Sequence, residues 1–143
     1  MYEPPHYFNI LAKLASSMTK VANARICACI VHKNSIASFG MNQLKSHPFQ
    51  AKFSTNKDSI FLHAEVDAIK NALKYLSVDD LRKSTLYICR IKTVENKECW
   101  GLSRPCEGCA RAIATFDLRA VYYSNDYSAK QKVNSYQSYR VVS

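Results

Sequence analysis

Two short motifs, His63-Ala64-Glu65 and Pro105-Cys106-Glu107-Gly108-Cys109, limit the folds open to this chain more than any other feature. Each opens a segment predicted to be helical. Val66, Ile69, Leu73 and Leu76 follow the first at helical spacing over 63–76, and a helix is predicted over 106–116 after the second. Two cysteines three apart at a helix start can turn both sulfurs toward one point, where the positive end of the helix favours thiolate. His63 would add a nitrogen from the other helix. One nitrogen and two sulfurs leave a fourth position open on a tetrahedral zinc ion, the pattern of a catalytic site rather than a closed structural one. His47 is the nearest rival ligand, but a loop histidine before Pro48 reads as a surface residue. Glu65, two residues past His63, reaches the same side of its helical turn and can carry protons, first as base and then as acid. The chain must therefore fold so that two helix starts, distant in sequence, meet.

The remaining elements are short. Tyr7, Phe8, Leu11, Leu14, Ala15 and Met18 predict a first helix running to about Lys20 or Ala22. Residues 26–32 read as a buried strand and 35–39 as its hairpin partner across His32-Lys33-Asn34. Residues 84–93 and 120–123 are further strands, with a short loop through Trp100 and Gly101 between the first of these and Pro105. The order α-β-β-α-β-α-β, with helix-linked crossovers between the later strands, predicts an α/β fold whose mixed sheet is covered on both faces. Residues 43–62 are polar and basic without periodicity, a connection long enough to suggest a functional loop. The tail, 124–143, is basic and Tyr-rich, and its sequence leaves helix, edge strand and irregular structure all open.

At 143 residues, with no repeat or Gly/Ser linker, the chain reads as one domain over 1–143. No apolar run is long enough to span a membrane, and Met1-Tyr2-Glu3-Pro4-Pro5 lacks the basic and apolar character of a secretory leader. A cytoplasmic protein is expected. Cys27, Cys29 and Cys89 then read as reduced core residues, while Cys99 has no assignment. The net charge of +9 fits nucleic acid, a small anionic substrate or a solvated basic surface, and the cations run from Lys13 to Arg140 without a dense block.

Together, H-x-E and P-C-x-x-C form the signature of zinc-dependent nucleobase deaminases. Over about residues 5–123 the chain resembles the cytidine and deoxycytidylate deaminase superfamily. Ala24-Arg25-Ile26-Cys27-Ala28-Cys29-Ile30-Val31 is similar to that family's first strand, with Cys27 where Gly is usual, and Phe39-Gly40-Met41-Asn42 to the G-x-N ending its second. Cys109-Ala110-Arg111-Ala112-Ile113 and Leu118-Arg119-Ala120-Val121-Tyr122-Tyr123 look like the deoxycytidylate branch, although Phe116-Asp117 replaces a Gly-containing turn. Gln43 stands where that branch has Gly, its P-x-G loop is absent, and 43–62 is similar to a loop of phage-encoded members.

The resemblance implies a cytidine-deaminase-like α/β fold of three layers, α-β-α, around a central mixed sheet of about five strands, and a hydrolase acting on a C–N bond of a cyclic amidine, most simply dCMP to dUMP in nucleotide metabolism. It implies Zn2+ on His63, Cys106 and Cys109, Glu65 as the catalytic residue, Asn42 at the sugar and the Ala64 amide at the base. Arg25, Lys45 and Lys52 are candidates for a 5′-phosphate. The expected partner is a small nucleotide, and the expected assembly a homo-oligomer. The alternative is deamination of cytosine or adenine within RNA or single-stranded DNA, for which Tyr127, Tyr136 and Tyr139 among Lys130, Lys132 and Arg140 could form a stacking surface.

Overall fold

A computed structural model describes residues 2–18, 25–53 and 61–141. The first helix, α1 (Pro4–Ser16), starts on two prolines, which suit positions without an intrahelical N–H bond. It ends earlier than the sequence predicts, with Ser17 as C-cap, and the expected continuation over 19–22 lies outside the described residues. Strands β1 (Arg25–His32) and β2 (Ser35–Met41) form the predicted hairpin. Its turn residues Lys33 and Asn34 have φ of 49° and 66°, the left-handed pair that matches strand twist.

The polar connection contains a short helix, α2 (Pro48–Phe53), that its sequence does not announce, and 54–60 lie outside the described residues. Next come α3 (Ala64–Ala72) and α4 (Val78–Arg82), the latter opened by a Ser77–Asp80 capping box. Strand β3 (Thr85–Val94) then turns through Glu95 and Asn96 into β4 (Lys97–Gly101), where the sequence reads as loop. Helix α5 (Glu107–Thr115) leads to β5 (Ala120–Ser124) and the tail ends in β6 (Tyr136–Arg140). At the expected Gly turn after α5, Asp117 takes φ of 54°.

The six strands form one mixed sheet in the order β2-β1-β3-β5-β6, with β4 pairing β3 beyond the end of β5. Only β3 and β5 are parallel, joined across α5. Alternation along β1 divides the core. Cys27, Cys29 and Val31 pack with Tyr7, Phe8 and Leu11 of α1, while Ala28 and Ile30 face Val66 and Ile69 of α3 and Ile113 of α5. The expected three layers result. Cys27, Cys29, Cys89 and also Cys99 are buried free thiols.

Helix α3 lies directly on β2. A Cβ on Gly40 would stand 2.1 Å from the Ala64 carbonyl oxygen and 2.3 Å from the Ala68 nitrogen, so only glycine allows this approach. Replacing it drives α3 off the sheet. Gly40→Ala is expected to destabilise the protein by about 1–3 kcal/mol. Chemical denaturation of the zinc-loaded protein measures this, and wild-type stability would contradict the close packing.

Candidate metal centre

The first turns of α3 and α5 meet over the sheet. His63 is the N-cap of α3, with extended backbone angles that turn its side chain out of the helix. Cys106 is the N-cap of α5, and its sulfur accepts a 3.4 Å hydrogen bond from the Cys109 backbone N–H. These caps bring His63 Nδ1 to 3.3 Å from Cys109 Sγ and 3.4 Å from Cys106 Sγ. Tetrahedral zinc at its usual nitrogen and sulfur distances would hold such donors about 3.5 Å apart. The three side chains therefore fit zinc. Among the described residues no other His, Cys, Asp or Glu joins the group, so a fourth position is left. Cys109 is buried and Cys106 exposed, which puts the open side toward solvent.

The loop before Cys106 is fixed by two buried serines. Ser124 Oγ donates to the Gly101 carbonyl at 2.6 Å, and Ser103 Oγ donates to the Ile88 carbonyl at 3.0 Å. The Ser124 N–H donates to Ser103 Oγ at 2.9 Å, tying the loop to the end of β5. On the other side, Asp67 accepts from the Met41 N–H at 3.0 Å and the Gln43 N–H donates to the Leu62 carbonyl at 2.9 Å. These bonds lash the segment after β2 to the start of α3.

Charge is distributed unequally between the two sulfurs. Cys106 is pushed down to about 4, chiefly by a hydrogen bond from Cys109, with His63 and the helix N–H adding to it. Cys109, which gives that bond and is buried, is raised. His63 is raised by its hydrogen bond with Cys106. Glu65 is buried in the first turn of α3, and burial raises its pKa, opposed by its own backbone N–H, His63 and Cys109. Such a carboxyl holds a proton more tightly than an exposed one, as a group that carries protons between substrate atoms requires.

The structure thus brings together His63, Glu65, Cys106 and Cys109, with Ala64 buried between the first two. Asn42 follows β2, where its Oδ1 accepts the Ile26 N–H at 2.9 Å and its own N–H donates to the Ile26 carbonyl at 3.2 Å. Arg25 is a correction. It shares the α1 face of β1 with Cys27 and Cys29, where Nη1 meets Glu98 at 2.8 Å and the Ser16 carbonyl at 3.3 Å, so strand alternation directs it away from the centre. Lys45 and Lys52 are exposed. His47 is not a ligand: its Nδ1 accepts the Phe49 N–H at 3.0 Å, at the start of α2.

Gln50 was not legible in the sequence. Buried on α2, it accepts the His63 N–H on Oε1 at 3.1 Å and places Nε2 4.0 Å from Cys109 Sγ. Its signal is a polar residue at the inner position of a short helix that has no clear periodicity. The tail also reaches this region. Tyr139 is pushed up to about 12, first by burial and then by the Glu65 carboxylate. Tyr136 instead stacks on Phe8, with ring centroids 5.0 Å apart.

Comparison with known proteins agrees with this geometry. The family described as the cytidine and deoxycytidylate deaminase zinc-binding region matches residues 2–125. A crystal structure of dCMP deaminase from the cyanophage S-TIM5 in apo form is similar at 25% identity and a TM-score of 0.52, covering 89% of each chain. The same enzyme in complex with dCMP and dUMP is similar at 21% identity and a TM-score of 0.55, covering 92% of this chain and 90% of that one. No curated protein sequence matches the chain. Among the described residues no helix is long and apolar enough to cross a membrane.

Metal binding must remove the proton that Cys109 holds, because thiolate is the ligand. Zinc uptake is therefore expected to release protons and to weaken as pH falls. Calorimetry in buffers of different ionisation enthalpy measures the release, and uptake without proton release would contradict the assignment.

Proposed function

Because the chain belongs to the cytidine and deoxycytidylate deaminase family, we propose that it hydrolyses the exocyclic amine of a cytosine nucleotide, converting dCMP to dUMP. The observation that carries the reading is Glu65, buried with a raised pKa beside a three-donor group that leaves one position open. Similarity to the cyanophage dCMP deaminase supports the choice of substrate.

Zinc held by His63, Cys106 and Cys109 supplies Lewis-acid activation of water. The chain's own residues do the rest. Glu65 takes the water proton on a carboxylate oxygen and delivers it to the ring nitrogen beside the reacting carbon. Once the water oxygen has added to the carbon bearing the amine, Glu65 takes that oxygen's remaining proton and passes it to the amine, and the C–N bond breaks to release ammonia as the carbonyl forms. Burial suits Glu65 to both steps, since a carboxyl of ordinary acidity would release the proton too readily. The Ala64 N–H, one of the donors that a helix start leaves without an intrahelical partner, holds the base, and Asn42 contacts the sugar. Water is excluded from the inner wall by the packing of Leu62, Val66 and Tyr123. A cytoplasmic, self-associating enzyme of nucleotide metabolism is the setting this reading implies.

The zinc-loaded protein, offered nucleosides, nucleotides and single-stranded oligonucleotides, is expected to give ammonia and dUMP from dCMP. Mass spectrometry reads the exchange of amine for carbonyl. Conversion confined to oligonucleotides would replace the substrate with a polynucleotide, and no conversion at all would remove the enzyme reading. Glu65→Gln should keep zinc and lose about 10²–10⁴-fold in turnover. It has a second readout in the metal-free protein. Glu65 binds its proton more tightly folded than unfolded, so stability falls as pH rises through the folded-state pKa. The glutamine variant should lack that fall.

A further inference from the structure

Arg25 faces away from the metal centre, but a second arginine of the sheet does not. Arg90 lies on β3 with the parity of Leu86 and Ile88, which belong with Val66 and Cys109 to the core under α3 and α5. Its neighbour on β1 is Ile26, which packs against the same core and exchanges two hydrogen bonds with Asn42. Around Arg90 the strand also changes partner, from parallel β5 through Ile88 to antiparallel β4 at Gly101. The loop from Gly101 to Cys106 leaves the sheet here, held by Ser103 to the Ile88 carbonyl, two residues before Arg90. Ser124 Oγ accepts the Arg90 N–H at 3.1 Å. Arg90 is therefore on the metal face, where the chain turns off toward a zinc ligand.

The half-buried side chain has a groove to lie in and lacks a partner. A Cβ on Gly101 would stand 3.0 Å from Arg90 Cδ and 3.3 Å from Nε, so the bare backbone of Gly101 makes room for the arginine stem. Arg90 Nε is buried without a hydrogen-bond partner among the described residues, and no carboxylate among them forms an ion pair with the guanidinium. Asp126 is held below the usual carboxylate range first by Lys92 and only last by Arg90. Its Oδ1 already takes Lys92 Nζ at 2.9 Å and the Leu102 N–H at 3.0 Å. A buried donor without an acceptor is costly, and a bound ligand can remove that cost. Nε and the Nη beside it form the edge with which a guanidinium grips two oxygens of one phosphate.

We propose that Arg90 holds the 5′-phosphate of the substrate and so makes the enzyme select a nucleotide over a nucleoside. This rests on the reading of the metal centre as a cytosine nucleotide site. Asn42 and Arg90 flank Ile26 in one row across the sheet, with backbones two strand spacings, about 10 Å, apart. With the base at the metal centre and the sugar at Asn42, the phosphate takes the next place along that row.

The test assays the full zinc-loaded chain with dCMP and deoxycytidine side by side, and measures binding of dUMP and deoxyuridine by calorimetry. Wild type is expected to favour the phosphorylated member of each pair. Arg90→Gln should raise KM for dCMP and weaken dUMP about tenfold or more, with kcat, deoxycytidine turnover and zinc content near wild type. Arg90→Lys keeps the charge but not the paired donors, and should fall between the two. It decides the matter if the glutamine variant does not fold. Equal losses with dCMP and deoxycytidine, an unchanged KM, or a wild type indifferent to the phosphate would each overturn the proposal. Binding of dUMP that depends on Arg90, without turnover of dCMP, would instead overturn the reaction and leave the phosphate site standing. Absence of both would overturn both.

Discussion

The contact between Gly40 and the first turns of α3 sets the position of everything at the metal centre. Backbone meets backbone there, with no side chain to absorb a displacement. Helix α3 is thereby seated against β2, and its N-cap, His63, is fixed in height above the sheet. The opposing cap, Cys106, is fixed independently by the hydrogen bonds that join Ser103 to Ile88 of β3 and Ser124 at the end of β5 to Gly101 at the end of β4. Two separately anchored helix starts can then hold a nitrogen 3.3–3.4 Å from each of two sulfurs. Gln50 adds a third anchor, since it binds the His63 backbone from a helix that packs on α5.

This rigidity has an electrostatic consequence. Two thiols and a carboxyl are forced together, with Cys109 and Glu65 buried, and all three cannot be charged at once without strong mutual repulsion. The protein responds by making Cys106 the thiolate and holding protons on Cys109 and Glu65. A dication reverses that preference for the sulfurs, because it stabilises both thiolates directly. Glu65 lies outside the donor group, so it keeps its tendency to bind a proton. The division between ligands and proton carrier follows from position on the same helical turn: residue 63 caps it, and residue 65 points inward.

How much of this was legible in the sequence depended on how local the signal was. His63, Glu65, Cys106 and Cys109 are specified by spacing within single helix turns, and the structure brings them together. The first hairpin was legible through its flanking apolar strands. Its counterpart between β3 and β4 was not, because Glu95-Asn96 adopts φ values of 52° and 65° without a glycine to mark the turn. The tail strand β6 is exposed at every position, so no apolar alternation betrays it. Gln50 was hidden because α2 has only six residues, too few to show a period. Arg25 shares its parity with Cys27 and Cys29, but both faces of β1 are buried, so only the packing of α1 on one and α3 on the other shows that this parity faces away from the centre.

Strand β6 makes the tail part of the folded domain, with different residues on each face. Tyr139 stands opposite Val121 and approaches Tyr123, with ring centroids 6.3 Å apart, on the side of Glu65 and Cys109. The next residue, Arg140, points to the other face, the one on which α1 packs. A single edge strand, paired only with β5, therefore borders both the metal centre and the α1 side of the sheet. Edge strands with one neighbour are the easiest part of a sheet to displace. Anything that orders or shifts β6 at Arg140 acts through one peptide unit on the position of Tyr139. Within β6, Tyr136 and Arg140 thus belong to one face of the strand and Tyr139 to the other.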